Sequence, residues 1–151
     1  MELPVESSLL SFRYYRPSLR PAPVEGTPLS DSKADWLEYV ADRCRQFTEL
    51  TPNWDTYGAP PVSPFTVQAA ITILGRLATA SLPPPRVVPT AQGGLQFEWR
   101  IQDRELEVQF NAPTQVSLFF SNESTGEETE VDLLSDLKPF SDVLKKLAPS
   151  P

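Results

Sequence analysis

The hydrophobic period of this chain changes once, and that change decides what it can fold into. Up to about residue 80 the apolar positions recur at three- and four-residue steps, and from Leu95 they recur at every second residue. Leu95, Phe97, Trp99 and Ile101 alternate with Gln96, Glu98 and Arg100. Leu106, Val108 and Phe110 alternate with Glu105, Glu107 and Gln109, and Val116, Leu118 and Phe120 alternate with Gln115, Ser117 and Phe119. A period of two sends successive side chains to opposite faces, so each run reads as a strand with one face toward a core. Gln102-Asp103 and Ala112-Pro113-Thr114 are connections of hairpin length. The pattern predicts an antiparallel meander of three firm strands and a fourth through Thr129 and Val131, with a short strand at Arg86-Val87-Val88 as an optional first member.

Before the meander the period is helical. A first helix is expected over 32–50, capped by Asp31 or Ser32, with Trp36, Leu37, Val40, Cys44 and Phe47 as its stripe. Asp35, Glu38, Asp42, Arg43, Arg45 and Glu49 fall on its solvated side. A second is expected over 64–80, with Ser63 as cap, Pro64 in the first turn and Val67, Ala70, Ile71, Leu74 and Leu77 as stripe. Gly75 inside it costs about 1 kcal/mol of helix propensity, which points to close packing at that position. Pro83-Pro84-Pro85 ends the helical region, and a last helix is expected over 136–147. The fold class is therefore α+β: a two-helix hairpin on one face of a three- to four-stranded antiparallel meander, with a C-terminal helix. Residues 1–30 hold five prolines and no sustained period, and are expected to form a flexible arm ahead of a single domain over 31–151.

Between the two helical patterns stands Asn53-Trp54-Asp55-Thr56-Tyr57-Gly58-Ala59-Pro60-Pro61. Asn and Asp bond nearby backbone, Gly supplies positive φ and Pro presets φ, so the segment reads as a shaped corner. Asn53, Trp54, Asp55 and Gly58 are its structural residues, with Trp54 pinning the loop and Asn53 and Asp55 bonding its amides. A functional alternative has Asn53, Asp55 and Tyr57 facing a groove. Asn-Trp-Asp-x-x-Gly-Ala-x-Pro, a Ser-Pro-opened helix and Gly-Gly-Leu-Gln-Phe-Glu-Trp resemble a family of small, poorly characterised bacterial proteins. In that family an N-W-D-x-x-G-A segment precedes a helix and a G-G-x-x-x-E-W strand. The resemblance spans roughly 36–110 and implies an α+β domain of bacterial or phage source. It carries over no catalytic residue.

Charge and missing residue types narrow the function. The chain contains no histidine, which removes Ser-His-Asp and Cys-His catalysis and most zinc sites. It has no Walker loop or G-x-G-x-x-G, and no cofactor or metal is expected. The single Cys44 excludes an intramolecular disulfide, lies on a helical stripe and fits a reducing cytoplasm. No apolar run approaches the ~20 residues that span a bilayer, and the location expected is cytoplasmic. Of the net charge of −7, residues 103–136 carry nine acids against Arg104 alone. Such a surface repels nucleic-acid phosphates and favours another protein, a basic one.

Leu9, Leu10, Phe12, Arg13, Tyr14, Tyr15 and Arg16 combine the residue types of an interface anchor. Phe119, an aromatic on the polar side of its strand, is expected to meet the tail helix or a partner, with Glu128 and Glu130 beside it. The leading reading is a non-enzymatic interaction protein, antitoxin- or immunity-like or a defence accessory subunit. The competing ones are a carboxylate-dependent, metal-assisted hydrolase using Asp55, Glu98 and Glu107, and a structural subunit of a larger assembly. The plain structural alternative for the charged strand residues is a solvated sheet face held by Glu98–Arg100–Glu107 ion pairs.

Overall fold

A computed structural model of the chain describes residues 34–133 and 136–147. Two helices come first, α1 (Leu37–Phe47) and α2 (Pro64–Leu77). Five strands follow: β1 (Arg86–Pro89), β2 (Leu95–Ile101), β3 (Arg104–Ala112), β4 (Gln115–Asn122) and β5 (Glu127–Leu133), and α3 (Lys138–Leu147) completes the series. The strands form one antiparallel sheet in the order β1-β2-β3-β4-β5, so every sequence neighbour is a spatial neighbour. The class is α+β, and the sheet has five strands where three to four were expected. The two strands outside the firm three are the edges, at the places where a fourth through Thr129 and Val131 and an optional one at Arg86 to Val88 were expected. Strand β1 is short and ends at Pro89, and β5 carries Glu and Asp at alternate positions, so neither shows a full apolar stripe. Edge strands need less apolar surface because one neighbour is missing.

The period of two does the sorting it implies. Val87, Leu95, Phe97, Trp99, Leu106, Val108, Phe110, Val116, Leu118, Phe120 and Leu133 are buried on one face. They join Val40, Cys44, Phe47, Val67, Ala70, Leu74, Phe140, Val143 and Leu147 of the three helices in a single apolar cluster. Phe97 and Phe110 meet edge-to-face with ring centroids 5.7 Å apart, an arrangement the aromatic quadrupole favours. The helices thus cover one face, and the other is bare among the described residues.

The helices are shorter than the period alone suggests. Helix α1 begins after Trp36, which makes no side-chain cap bond; Asp31 and Ser32, expected as caps, lie outside the described residues, as do residues 1–30 and all of Leu9 to Arg16. Ser63 is extended at the start of α2 and makes no cap bond through its side chain; Pro64 opens the helix instead. Helix α2 stops at Leu77 because Ala78 turns extended toward the proline run. Ahead of α3, Asp136 Oδ1 accepts the Lys138 amide (2.9 Å), and the helix itself starts two residues later than expected.

Two packing expectations are corrected. Gly75 is not at a tight contact, since a Cβ there would sit 3.8 Å from Leu37 Cδ2, ordinary van der Waals distance. The tight glycine is Gly94, where a Cβ would fall inside the envelope of the Phe110 carbonyl oxygen and 3.1 Å from Asn111 Cα. Arg43, placed on the solvated side of α1, is buried. Its Nη1 donates to Gln46 Oε1 (2.7 Å), while Nε and Nη2 have no hydrogen-bond partner among the described residues. Cys44 is fully buried, and burial pushes its thiol up to about 12 against the pull of Arg45 and Arg43, so it is not a nucleophile.

Trp36 and Trp99 tie the crossover to the core, and Trp54 closes its own loop. Trp36 Nε1 donates to the Leu82 carbonyl (2.7 Å), Trp99 Nε1 to the Pro83 carbonyl (2.9 Å) and Trp54 Nε1 to the Pro60 carbonyl (2.7 Å). In each case the accepting residue precedes a proline. Proline's missing N–H and its bias of the preceding residue toward extended backbone keep such carbonyls out of regular ladders. The indoles supply the donors they would otherwise lack.

Candidate functional site

The bare sheet face is built in rows by the strand register. One row runs Arg86, Glu98, Glu107, Phe119, Glu130, each opposite the next. On one side of it runs Arg100, Glu105, Ser121, Glu128, and on the other Gln96, Gln109, Ser117, Asp132. Six carboxylates (Glu98, Glu105, Glu107, Glu128, Glu130, Asp132) therefore share a face with two arginines. Phe119 stands half-buried among them and directly faces Glu130, while Glu128 faces Ser121. Contact between Phe119 and the tail helix is excluded: α3 packs on the opposite face, where Arg104 Nη1 donates to the Lys146 carbonyl (2.9 Å) and Lys146 pairs with Glu127.

The ion pairs differ from the expected Glu98–Arg100–Glu107 chain. Arg100 pairs with Glu105, its cross-strand partner, and with Glu123 (3.7 Å). Glu98 takes Arg86 (3.4 Å) and the amide of Gln96 (2.6 Å). Glu107 forms no ion pair among the described residues and lies opposite Glu98. Desolvation, then the charges of Glu98 and Glu105, hold its carboxyl above the usual carboxylate range. Pro83, Pro84 and Trp99 wall these carboxylates into an open depression of about 440 Å³ that also contains Arg86 and Arg100.

Asp55 is not part of this group. Its Oδ1 accepts the amides of Tyr57 (2.8 Å) and Ala59 (2.9 Å), and these bonds, the one from Ala59 foremost, hold its carboxyl below the usual range. Asn53 at φ 69° accepts the Gly58 amide at Oδ1 (2.6 Å) and donates its own amide to the Ala59 carbonyl (2.7 Å). Both side chains are spent on the loop, so the groove reading of Asn53, Asp55 and Tyr57 and the convergence of Asp55 with Glu98 and Glu107 are both corrected. Among the described residues no three acids or cysteines are arranged to hold a metal ion, and no helix is long and apolar enough to cross a membrane.

The loop has a second property that its letters concealed. Tyr57 is 91% exposed and Phe65, in the first turn of α2, is 76% exposed, the large apolar side chains most open to solvent among the described residues. The sequence reading passed over Phe65 and placed Tyr57 in a groove with Asn53 and Asp55 only as an alternative. The available signal was charge: residues 50–75 contain Asp55 and no other charged residue, in a chain that is 22% charged.

Compared with known proteins, the chain matches no family model, no curated protein and no solved structure.

Proposed function

We propose that this chain is a non-enzymatic interaction protein whose bare sheet face receives a basic surface of another protein. The observation that carries the reading is the register itself: it gathers six carboxylates and a half-buried phenylalanine onto one uncovered face with two arginines. Phe119, flanked by Glu107 and Glu130, supplies the apolar centre, and the carboxylates supply a potential that steers and orients a cationic partner. The segment Leu9 to Arg16, outside the described residues, is the second anchor. In a bacterial or phage setting, which the family resemblance implies, a protein of this kind neutralises a nucleic-acid-binding effector by occupying its phosphate path, as antitoxins and immunity proteins do. Capture from the source cell should return a basic protein. Its affinity should fall with salt, fall with Glu98→Gln, Glu107→Gln and Glu130→Gln together, and fall on deleting residues 1–20. Binding indifferent to salt and to the triple substitution defeats the reading.

One observation favours a second reading. Glu98 and Glu107 face each other across β2 and β3, and the raised Glu107 carboxyl beside a charged neighbour resembles an acid/base pair. A divalent cation bridging the two would make the chain a carboxylate-dependent hydrolase. Calorimetry with Mg²⁺ and Ca²⁺ should then show binding that Glu98→Gln or Glu107→Gln abolishes, and a flat titration removes it.

A further inference from the structure

Among the described residues one charged side chain is buried, that of Arg43, which is 8% exposed. Gln46 takes Nη1, and Nε and Nη2 are closed off from solvent with no hydrogen-bond partner among the described residues. The helix offers no acid to meet them. Asp42 pairs with Arg45, and the positions three and four residues from Arg43 are Tyr39, Val40, Gln46 and Phe47. A guanidinium keeps its proton at any ordinary pH, so its burial is not relieved by neutralisation. A cation enclosed in this way calls for an anion, because its lost hydration is otherwise uncompensated.

The nitrogens left over say which anion. Nε–H and Nη2–H project from one edge of the guanidinium plane in the same direction, the pair that grips a carboxylate through two parallel bonds. Gln46 holds the other end of the group. Position narrows the source. At the turn of an α-helix, Leu37, Ala41 and Arg45 face Ile71 of α2, with which they line a shallow depression, and Tyr39, Arg43 and Gln46 fall on the opposite flank. Helix α1 rests on β1, the edge strand, so the sheet has no further strand beyond that flank.

We propose that the segment ahead of Ala34 turns back along this flank of α1 and sets the Glu25 carboxylate on Nε and Nη2 of Arg43. Chain length selects the acid. Arg43 stands about 10 Å along the helix from Trp36, at roughly 1.5 Å per residue. Extended chain covers that distance in about three residues, after a reversal of about four. The returning chain therefore meets Arg43 at or before residue 29. Asp31 falls inside the reversal, between the turn formers Ser30 and Ser32, which are free for it because α1 begins only at Leu37. Glu25 is the next acid back, and the one before it is Glu6. Tethering favours this segment over a free anion, since a carboxylate on a short linker acts at a local concentration of order mM. The contact also fixes where Leu9 to Arg16 leaves the domain: on the β1 side, next to Arg86 of the charged face.

The test is a double-substitution cycle in the full chain, read by urea unfolding. Glu25→Gln should raise the unfolding constant about tenfold or more by leaving Arg43 buried and unpaired, and should have no effect once Arg43→Met has removed the guanidinium. Glu6→Gln and Asp31→Asn should leave the urea midpoint where it was. A second measurement needs no change in the core: the Nε–H resonance of Arg43 should be sharp and slow to exchange with solvent in the parent, and fast to exchange in Glu25→Gln. Millimolar inorganic phosphate should stabilise the parent no more than it stabilises Arg43→Met. The cycle should give the same coupling in the Glu98→Gln, Glu107→Gln, Glu130→Gln triple variant, so this contact and the reading of the sheet face stand or fall separately. Indifference of both midpoint and Nε–H exchange to Glu25→Gln overturns the proposal. So does an equal loss in the Arg43→Met background, an effect that follows Asp31→Asn instead, or selective stabilisation of the parent by phosphate, which would mark the site as one for a free anion.

Discussion

The sheet face and the α1–α2 end, where the 48–63 loop meets the 90–94 turn, are both left uncovered by the described residues, and they are made in opposite ways. On the face, the register sets side chains in rows, charge is dense, and Arg86, Glu98, Arg100 and Glu105 are held by ion pairs on partly exposed side chains. Exposed pairs of this kind are each worth about 0–1 kcal/mol, so the rows adapt readily to whatever binds. At the end, charge is sparse (Asp55, bonded to its own loop, and exposed Glu49) and the shape is set by backbone: left-handed residues, loop amides bonded to Asn53 and Asp55, and glycines pressed against a neighbouring turn. The face is soft and steers at long range; the end is stiff. Binding on the face should weaken with salt.

If the end owes its rigidity to close backbone approach, the largest effect should come from filling that approach. Gly94→Ala drives a methyl into the Phe110 carbonyl and the Asn111 backbone. Both are parts of the sheet that cannot swing aside. Overpacking of this kind costs roughly 1–3 kcal/mol, to be read as a fall in the urea midpoint. A neutral outcome would mean the turn is free to shift and the end is not stiff. Asn53→Ala tests the loop separately. It removes the acceptor of the Gly58 amide and asks alanine to sit at φ 69°, for roughly 1–2 kcal/mol. Asn53→Gly, which keeps the backbone conformation and loses only the bond, should cost less, and equal costs would deny the strain.

The helix glycine offers the opposite expectation. Gly75→Ala meets nothing closer than 3.8 Å in an α-helix interior, so it should stabilise by about 0.5–1 kcal/mol through the propensity of alanine. A destabilised variant would show a contact that the geometry does not contain.

These glycines also show what could be read from the letters. The three inner strands were legible because each carries a complete alternation, and the register then followed from two short hairpin connections. The edges were legible only in outline, as a fourth strand through Thr129 and Val131 and an optional one at Arg86 to Val88, because β1 is four residues long and Glu127 to Asp132 reads as polar chain. Gly75 and Gly94 look alike in sequence. Only the sheet's approach to the 90–94 turn distinguishes them, and that is a fact of tertiary packing. Arg43 was misplaced for a related reason: it sits at the flank of the α1 stripe, where burial depends on neighbours outside the helix. At the corner, the bonding of Asn53 and Asp55 could be anticipated from residue type. The exposure of Tyr57 could not, since an aromatic in a loop is as readily a pin as a display, and Trp54 three residues earlier is the pin.

The smallest expected effect is on the face, and its sign tests whether the rows are a stable surface or a strained one. Glu107 lies opposite Glu98, and its carboxyl is held above the usual range by partial desolvation and by the charges of Glu98 and Glu105. A carboxyl raised on folding binds a proton more readily in the native state than in the unfolded chain. The native protein is therefore penalised at pH values above the raised folded pKa, and the penalty fades as pH falls through that value to the unfolded one. Glu107→Gln removes the charge and keeps the shape. At pH 7 it should stabilise by a few tenths of a kcal/mol, the scale of a like-charge cross-strand pair, and below the usual carboxylate range the variant and the parent should melt together. The same substitution, with Glu98→Gln and Glu130→Gln, is expected to weaken a basic partner. Gain of stability with loss of binding is the signature of charge kept on the face for a purpose other than folding. A substitution that costs stability at pH 7 would instead make Glu107 part of what holds the sheet, and would leave the face no freer to bind than the stiff end.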